Sequence, residues 1–151
     1  MKSIVKLLSL TLLVSFFSLI VHGQEASEAL ISMVKEVHSA CPRAFVPGVK
    51  LASVEIDDEY VVCTFTAEES VLQRGGLNSE RNKESMKLSL LKNFRRMSRT
   101  SILRQMADEV ADCDMGVKGV VVNDGTGDSL EVVITNDELR EATGRPRPSD
   151  F

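Results

Sequence analysis

The sequence predicts an α+β fold, with an antiparallel four-stranded sheet built from two hairpins and helices packed on one face. Two observations point to the sheet. Alternating apolar residues flank a tight turn near residue 58, and again flank a glycine-containing turn near residue 126. A third points to the helices, because the segments before, between and after the hairpins carry apolar residues at three- and four-residue spacing. The expected order is helix, two strands, a broken helix, two strands and a short helix.

The first predicted helix covers residues 25–39, where an apolar stripe recurs at helical spacing and Ser27 can cap the start. Pro42 and Pro47 follow it. Proline lacks the amide proton that a helix needs, so these residues should end the helix. Residues 40–48 are therefore expected to be a connector.

The first hairpin is predicted from two neighbouring strands, Val49–Asp57 and Tyr60–Ala67. In the second strand, Val61, Cys63 and Phe65 alternate with residues of the opposite face. Successive side chains of a strand point to opposite faces of the sheet. These three should therefore point inward, beneath the long helix.

A long helical stretch is predicted over residues 78–111, with Asn78 or Ser79 available to cap its start. Residues 98–101 are rich in cap-forming types and are expected to interrupt the helix. Gly116 should end the stretch, since glycine tolerates the backbone conformation that follows a helix.

The second hairpin is predicted from Val117–Asn123 and Ser129–Thr135, again by alternation of apolar residues. Asn136 is expected to cap a short helix over Asp137–Thr143. Residues 144–151 contain two prolines and no apolar pattern, so a mobile C-terminal tail is predicted there.

An export signal is predicted at the N-terminus. Two lysines precede Leu7–Val21, a run without charge that is shorter than the ~20 apolar residues needed to span a bilayer. The small residues Val21 and Gly23 favour cleavage before Gln24. Residues 1–23 are thus interpreted as a Sec-type signal peptide, and an uncleaved membrane anchor is the alternative.

The remainder is expected to be one α+β domain, residues 24–143, secreted or periplasmic and with no transmembrane segment in the mature chain. Attachment to a lipid at the cleavage site would require a cysteine there. The first cysteine is Cys41, so no lipobox is present.

Several structural motifs occur together in the second half of the chain. A helix opens at Asn82-Lys83 and includes Leu90 to Phe94, Gly116 precedes a strand, and Gly127 to Thr135 is followed by Glu138-Leu139. Over residues 50–142, this arrangement resembles a family of small exported bacterial α+β proteins of unknown function. The resemblance implies the fold and brings no catalytic residues with it.

Charge is unevenly distributed along the chain. The formal net charge is −4, and loss of the two lysines in residues 1–23 would make it −6. Residues 74–104 nevertheless carry nine basic and only two acidic residues. Such a face could bind an anionic partner, although a solvated face paired with the protein's own carboxylates is the alternative. The candidate binding residues are Arg95, Arg96, Arg99 and Arg104.

The overall acidic charge argues against a nucleic-acid partner, and so does the scarcity of large aromatic side chains. The chain has no tryptophan and one tyrosine, which is a poor supply for stacking on bases or sugars.

Three cysteines lie in the expected mature chain: Cys41, Cys63 and Cys113. An odd number cannot form a complete disulfide framework. Cys41 and Cys113 each follow a helix expected on the same sheet face, so a Cys41–Cys113 disulfide is the candidate bridge. The alternatives are three free thiols or a bridge that involves Cys63.

Catalytic and metal sites find little support. His38 lies three residues before Cys41, a spacing that could form a thiol–imidazole couple or half of a metal site. His38 is the only histidine of the expected mature chain, and one histidine cannot complete a zinc site, so no metal and no cofactor are predicted. The loop Asp124 to Asp128 lacks the register of a calcium-binding EF-hand and is interpreted as a hairpin turn.

The sequence therefore favours an exported, non-enzymatic binding module. Its expected partner is an unknown protein or an anionic envelope polymer. The alternatives are a thiol enzyme that uses Cys41 with His38, and an inhibitor of an extracytoplasmic enzyme.

Overall fold

The computed structural model describes residues 25–72 and 80–145, in which a five-stranded sheet carries its helices on one face. The sheet order is β1-β2-β3-β4-β5. The strands are β1 (Arg43–Val46), β2 (Val49–Asp57), β3 (Tyr60–Ala67), β4 (Gly116–Asn123) and β5 (Ser129–Ile134). The helices are α1 (Glu28–Ser39), α2 (Glu80–Arg96), α3 (Ile102–Asp112) and α4 (Asn136–Thr143), with a short 3-10 turn at Glu69–Val71.

The α+β class is confirmed, but the four-stranded antiparallel sheet is wrong in its strand number. Part of the predicted connector 40–48 is the edge strand β1, in which Ala44 pairs with Lys50 of β2. The turn between the two strands needs Gly48, whose φ of +79° is unfavourable for other residues. The two prolines flank this short strand instead of interrupting it, so the chain can still pair.

The sheet is also mixed, because β3 and β4 are parallel. Their pairing runs from Tyr60 with Gly116 to Ala67 with Asn123. Parallel neighbours require a crossover connection, and α2 and α3 supply it between the two hairpins. The two hairpins therefore lie side by side through β3 and β4. Alternation within a strand does not indicate which strand lies beside it or in which direction.

The first helix and the helix break are close to expectation. Ser27 caps α1, since its Oγ accepts a hydrogen bond from the backbone of Leu30 at 3.1 Å. The predicted break separates α2 from α3, which begins at Ile102. The cap candidates Asn78 and Ser79 lie outside the described residues.

The cap of α4 is Thr135, not Asn136. Thr135 Oγ1 accepts a hydrogen bond from the backbone of Glu138, and Glu138 Oε2 accepts one from the backbone of Thr135 at 2.9 Å. This reciprocal arrangement is a capping box. Asn136 is the first helical residue, and its amide instead donates to the carbonyls of Ala111 and Met115.

The core lies between the sheet and the helices. Val61, Cys63 and Phe65 are all buried, which confirms the predicted inward face of β3. The alternate residues of β4 and β5 continue this face under the helices. The helical side chains packed against it are Leu30, Val34, Val37, Leu90, Phe94, Leu103, Met106, Ala107, Val110, Ala111 and Leu139.

Among the described residues, no helix has both the length and the apolar character required to cross a membrane. The predicted signal peptide, its cleavage site before Gln24 and most of the predicted tail, residues 146–151, lie outside the described part of the chain.

Candidate functional site

A cleft of about 200 Å³ opens between α2 and the sheet. In the fold, α1 packs against β2 and α2 packs against β5, and the cleft lies beside α2 at Phe45 and Phe65 of the sheet. Among residues 25–72 and 80–145, none that lines the cleft is charged. They are Phe45, Val46, Val49, Phe65, Ala67, Val71, Leu72, Asn82, Ser85, Met86, Ser89, Leu90, Asn93 and Val121.

The sheet side of the cleft is apolar and partly aromatic. Phe45 of β1 lies against Phe65 of β3, with ring centroids 4.9 Å apart and planes inclined by 56°. Val71, from the 3-10 turn, is 46% exposed at the edge of the same wall. Because β1 brings Phe45 to this place, a strand absent from the sequence-based prediction builds half of the wall.

The helix side of the cleft is polar. Asn82, Ser85, Ser89 and Asn93 lie three to four residues apart, so they form one stripe along α2. Ser85 and Ser89 are exposed, while Asn82 is buried. Within residues 25–72 and 80–145, the side chains of Ser85, Ser89 and Asn93 make no hydrogen bond. The sequence analysis did not predict this stripe. Small polar residues at helical spacing within a strongly charged helix could have indicated it.

A group of carboxylates lies at a depression next to the cleft and is called the acidic rim below: Glu68, Glu69 and Asp124. Backbone hydrogen bonds fix two of them, from Glu68 N to the carbonyl of Gly48 and from Asp124 N to that of Ala67, both at 2.9 Å. Glu68 and Asp124 line a shallow depression that shares Phe45, Val46 and Val49 with the cleft. Lys50 lines the same depression, but no ion pair joins it to the rim in the described structure.

Only three of the four arginines predicted to bind an anionic partner are exposed in the structure. Arg95, Arg96 and Arg99 are exposed around the end of α2. Arg104 is buried, and its guanidinium donates to the carbonyls of Phe94 and Thr143 and to Asp108. Arg104 therefore joins helices together and cannot reach an external anion, which removes it from the site.

The three cysteines are free thiols in this structure. The predicted Cys41–Cys113 bridge is thus not formed in it, and its formation in an oxidising compartment stays a prediction. Burial raises the pKa of Cys63 to about 12, and the neighbouring Cys41 contributes to the rise.

The geometry around His38 does not form a catalytic couple with Cys41. The Nδ1 atom of His38 accepts a hydrogen bond from the backbone of Val54 at 3.4 Å, and Cys41 Sγ donates to the carbonyl of Val37 at 3.2 Å. Burial raises the pKa of Cys41, against an opposing effect of Arg43. A nucleophilic thiol needs the opposite shift.

No cluster suited to a metal ion occurs in the described portion of the chain. In the loop between β4 and β5, the side-chain oxygen of Asn123 accepts hydrogen bonds from the backbones of Gly125 and Thr126. Gly127 follows with a φ of +77°. These are the features of a turn held by its own side chains.

Two solved structures have a similar fold. A presumed secreted protein of Pseudomonas aeruginosa superposes with a TM-score of 0.54 at 15% identity, over 76% of this chain and 93% of its own. A pilotin of the Vibrio vulnificus type 2 secretion system superposes with a TM-score of 0.51 at 8% identity, over 74% and 88%. At these identities the likeness concerns the fold. No protein-family model and no curated protein matches the sequence.

Proposed function

We propose that this chain is an exported, non-enzymatic interaction module that holds a segment of a protein partner in the cleft between α2 and the sheet. The observation that carries the proposal is the composition of the cleft, which has an apolar wall beside the side chains of Ser85, Ser89 and Asn93, and these three make no hydrogen bond within the described residues. Such a surface binds by contact and hydrogen bonding and offers no group for chemistry.

The two fold neighbours support this proposal. One is a presumed secreted protein, and the other is a pilotin of a secretion system, which favours an exported protein that works on another protein. Removal of residues 1–23, with Gln24 as the mature N-terminus, belongs to the same proposal.

An anionic partner is a second candidate, because Arg95, Arg96 and Arg99 form an exposed basic group at the end of α2. Three arginines within about one helical turn of each other suit carboxylate or phosphate groups of an envelope polymer. This group does not line the cleft, so one molecule could use both surfaces.

Site-specific photocrosslinking in the producing cell tests the proposal. A photoreactive residue replaces Ser89 in the cleft or, as the matched control, Leu88, which is 61% exposed on another side of the same helix. A crosslinked protein is expected from position 89 and not from position 88. Ser85→Arg should abolish that product by filling the cleft, while Leu88→Arg should leave it.

Equal crosslinking from positions 88 and 89, or a product from position 89 that persists with Ser85→Arg, would contradict the assignment of the cleft. Neither variant touches the buried core, and the melting temperature of each should stay within a few degrees of the parent protein.

A further inference from the structure

We infer that the segment held in the cleft is an extended chain, with alternate apolar side chains on the sheet wall and a lysine or arginine at the acidic rim. This inference rests on the proposed function, since it names the kind of partner that the same cleft accepts.

The polar stripe favours an extended segment over a helical one. A helix satisfies its own backbone groups along its middle, and it would bury the hydroxyls of Ser85 and Ser89 against side chains. An extended chain leaves every backbone N–H and C=O unpaired, and these groups are what serine hydroxyls and the Asn93 amide can bind. Within the described residues, these three side chains have no partner of their own.

The sheet wall matches the side chains of such a chain. Side chains of an extended segment point alternately to two sides. One set would contact Phe45, Phe65 and Val49 and the other would point away from the sheet, so the backbone groups between them would lie beside α2. Asn82 and Asn93, at the two ends of the stripe, are eleven positions apart, or about 16 Å at the helical rise, which matches about five residues of extended chain.

The acidic rim favours a positive charge on the part of the bound segment that lies next to Glu68 and Asp124. The described lining of the cleft contains no charged residue, so a charge inside it would meet no opposite charge from these residues. Glu68 and Asp124 lie at the depression that joins the cleft, and the carboxylate of Glu69 approaches Gly125 beside them. Glu68 and Glu69 are exposed and, like Asp124, unpaired with any cation among the described residues. A basic side chain of the partner would therefore find opposite charges at Glu68 and Asp124 in this depression.

Selection from a displayed library of random ten-residue peptides tests the inference, with protein purified from the exported fraction as bait. Selection is repeated with Ser89→Arg bait, and only peptides that lose binding to this variant are analysed. These peptides should show apolar residues at every second position and a lysine or arginine next to them. The triple variant Glu68→Gln/Glu69→Gln/Asp124→Asn should bind them roughly five-fold or more weakly at low salt, with little change at high salt.

N-methylation of the peptide backbone separates the two binding modes. A single N-methyl group within the apolar run should weaken binding by roughly ten-fold if the backbone bonds to α2, whereas the same group outside the run should not. Apolar residues at three- and four-residue spacing, or tolerance of N-methylation, would overturn the extended mode. Absence of basic residues, or equal binding by the triple variant, would overturn the role of the acidic rim. Selection of no Ser89-dependent peptide would count against the proposed function itself.

Discussion

Arg104 Nη2 donates a hydrogen bond of 2.9 Å to the carbonyl oxygen of Thr143, across 39 positions of sequence. The other terminal nitrogen donates to Phe94 O at 2.8 Å, and Nε to Asp108 at 3.2 Å. One side chain at the start of α3 thereby satisfies carbonyls at the ends of α2 and α4. Those carbonyls have no partner within their own helices, which explains why a charged residue is buried here.

Replacement of Arg104 is expected to cost stability. Arg104→Met should lower the free energy of unfolding by about 3 kcal/mol, since it leaves two buried carbonyls and Asp108 without their donor. Urea denaturation measures the change. Arg96→Met, at an exposed position, is the matched control and should alter the free energy by less than about 0.5 kcal/mol. Equal effects of the two variants would contradict the joining role of Arg104.

The buried thiol of Cys63 should make stability depend on alkaline pH. The pKa of this thiol rises from 9.0 to about 12 on burial, so the protonated form is favoured in the folded state. The resulting stabilisation is complete below pH 9 and is lost as the pH rises toward 12, at up to about 1.4 kcal/mol per pH unit. Denaturation of the parent protein and of Cys63→Ala between pH 8 and 11 measures this. The parent should lose more stability over that range than the variant, and parallel curves would refute the assignment.

Cys63→Asp places an ionisable carboxyl at the same buried position. The side chain is 4% exposed, and no described group offers it a cation. The variant is expected to be unfolded or strongly destabilised at neutral pH, and to recover in part when acid protonates the carboxyl. Circular dichroism melts at pH 5 and pH 8 provide the comparison. An unchanged melting temperature would place residue 63 on the open face of the sheet.

Gly116 is required by close backbone contact. A Cβ atom there would lie 2.6 Å from the carbonyl oxygen of Ile134, and a backbone atom in a paired strand cannot move aside cheaply. Gly116→Ala should cost about 2 kcal/mol or more, as overpacking commonly does. In Gly119→Ala the new methyl group would lie 3.1 Å from a terminal carbon of Leu90, which can rotate away. The second variant should therefore be milder, and the reverse order of melting temperatures would be inconsistent with the β4–β5 register.

The capping box of α4 should make a pH-dependent contribution to the free energy of unfolding. Burial alone would raise the pKa of Glu138, but hydrogen bonds from Lys87 and Thr135 bring it below its usual value. The stabilisation is present above a pH of about 4.5 and is lost as the pH falls through the lowered pKa. Glu138→Gln should thus lose about 1 kcal/mol at pH 7 and little at pH 3. Thermal melts at both values, with exposed Glu141→Gln as control, test this.

Much of the fold follows from local pattern. The strands β2 and β3 match the predicted bounds, because alternation and a tight turn are encoded within each segment. The edge strand β1 escaped prediction, since its four residues between Pro42 and Pro47 are too few to show alternation. The parallel pairing of β3 with β4 was not predicted either, because the sequence pattern within a strand does not indicate which other strand pairs with it.

The candidate site was less accessible from the sequence than the fold. Arg104 belongs to a strongly basic stretch, so its pattern indicated a solvated face, whereas its burial results from the meeting of three helices. The cleft likewise depends on the position of α2 relative to Phe45 and Phe65, which lie on strands that precede α2 in the sequence. The spacing of the polar stripe that includes Ser89 can be read from the sequence, but the apolar wall beside it cannot.

Because β3 pairs with β4, one edge of β3 stays unpaired during synthesis until β4 has been made. Tyr60 is synthesised 56 residues before its partner Gly116, and ribosomes add about 5–20 residues per second. For roughly 3–11 seconds, the edge of β3 that later pairs with β4 has no strand beside it. An unpaired strand edge of this kind favours aggregation, so a factor that binds the chain until β4 is synthesised would protect it.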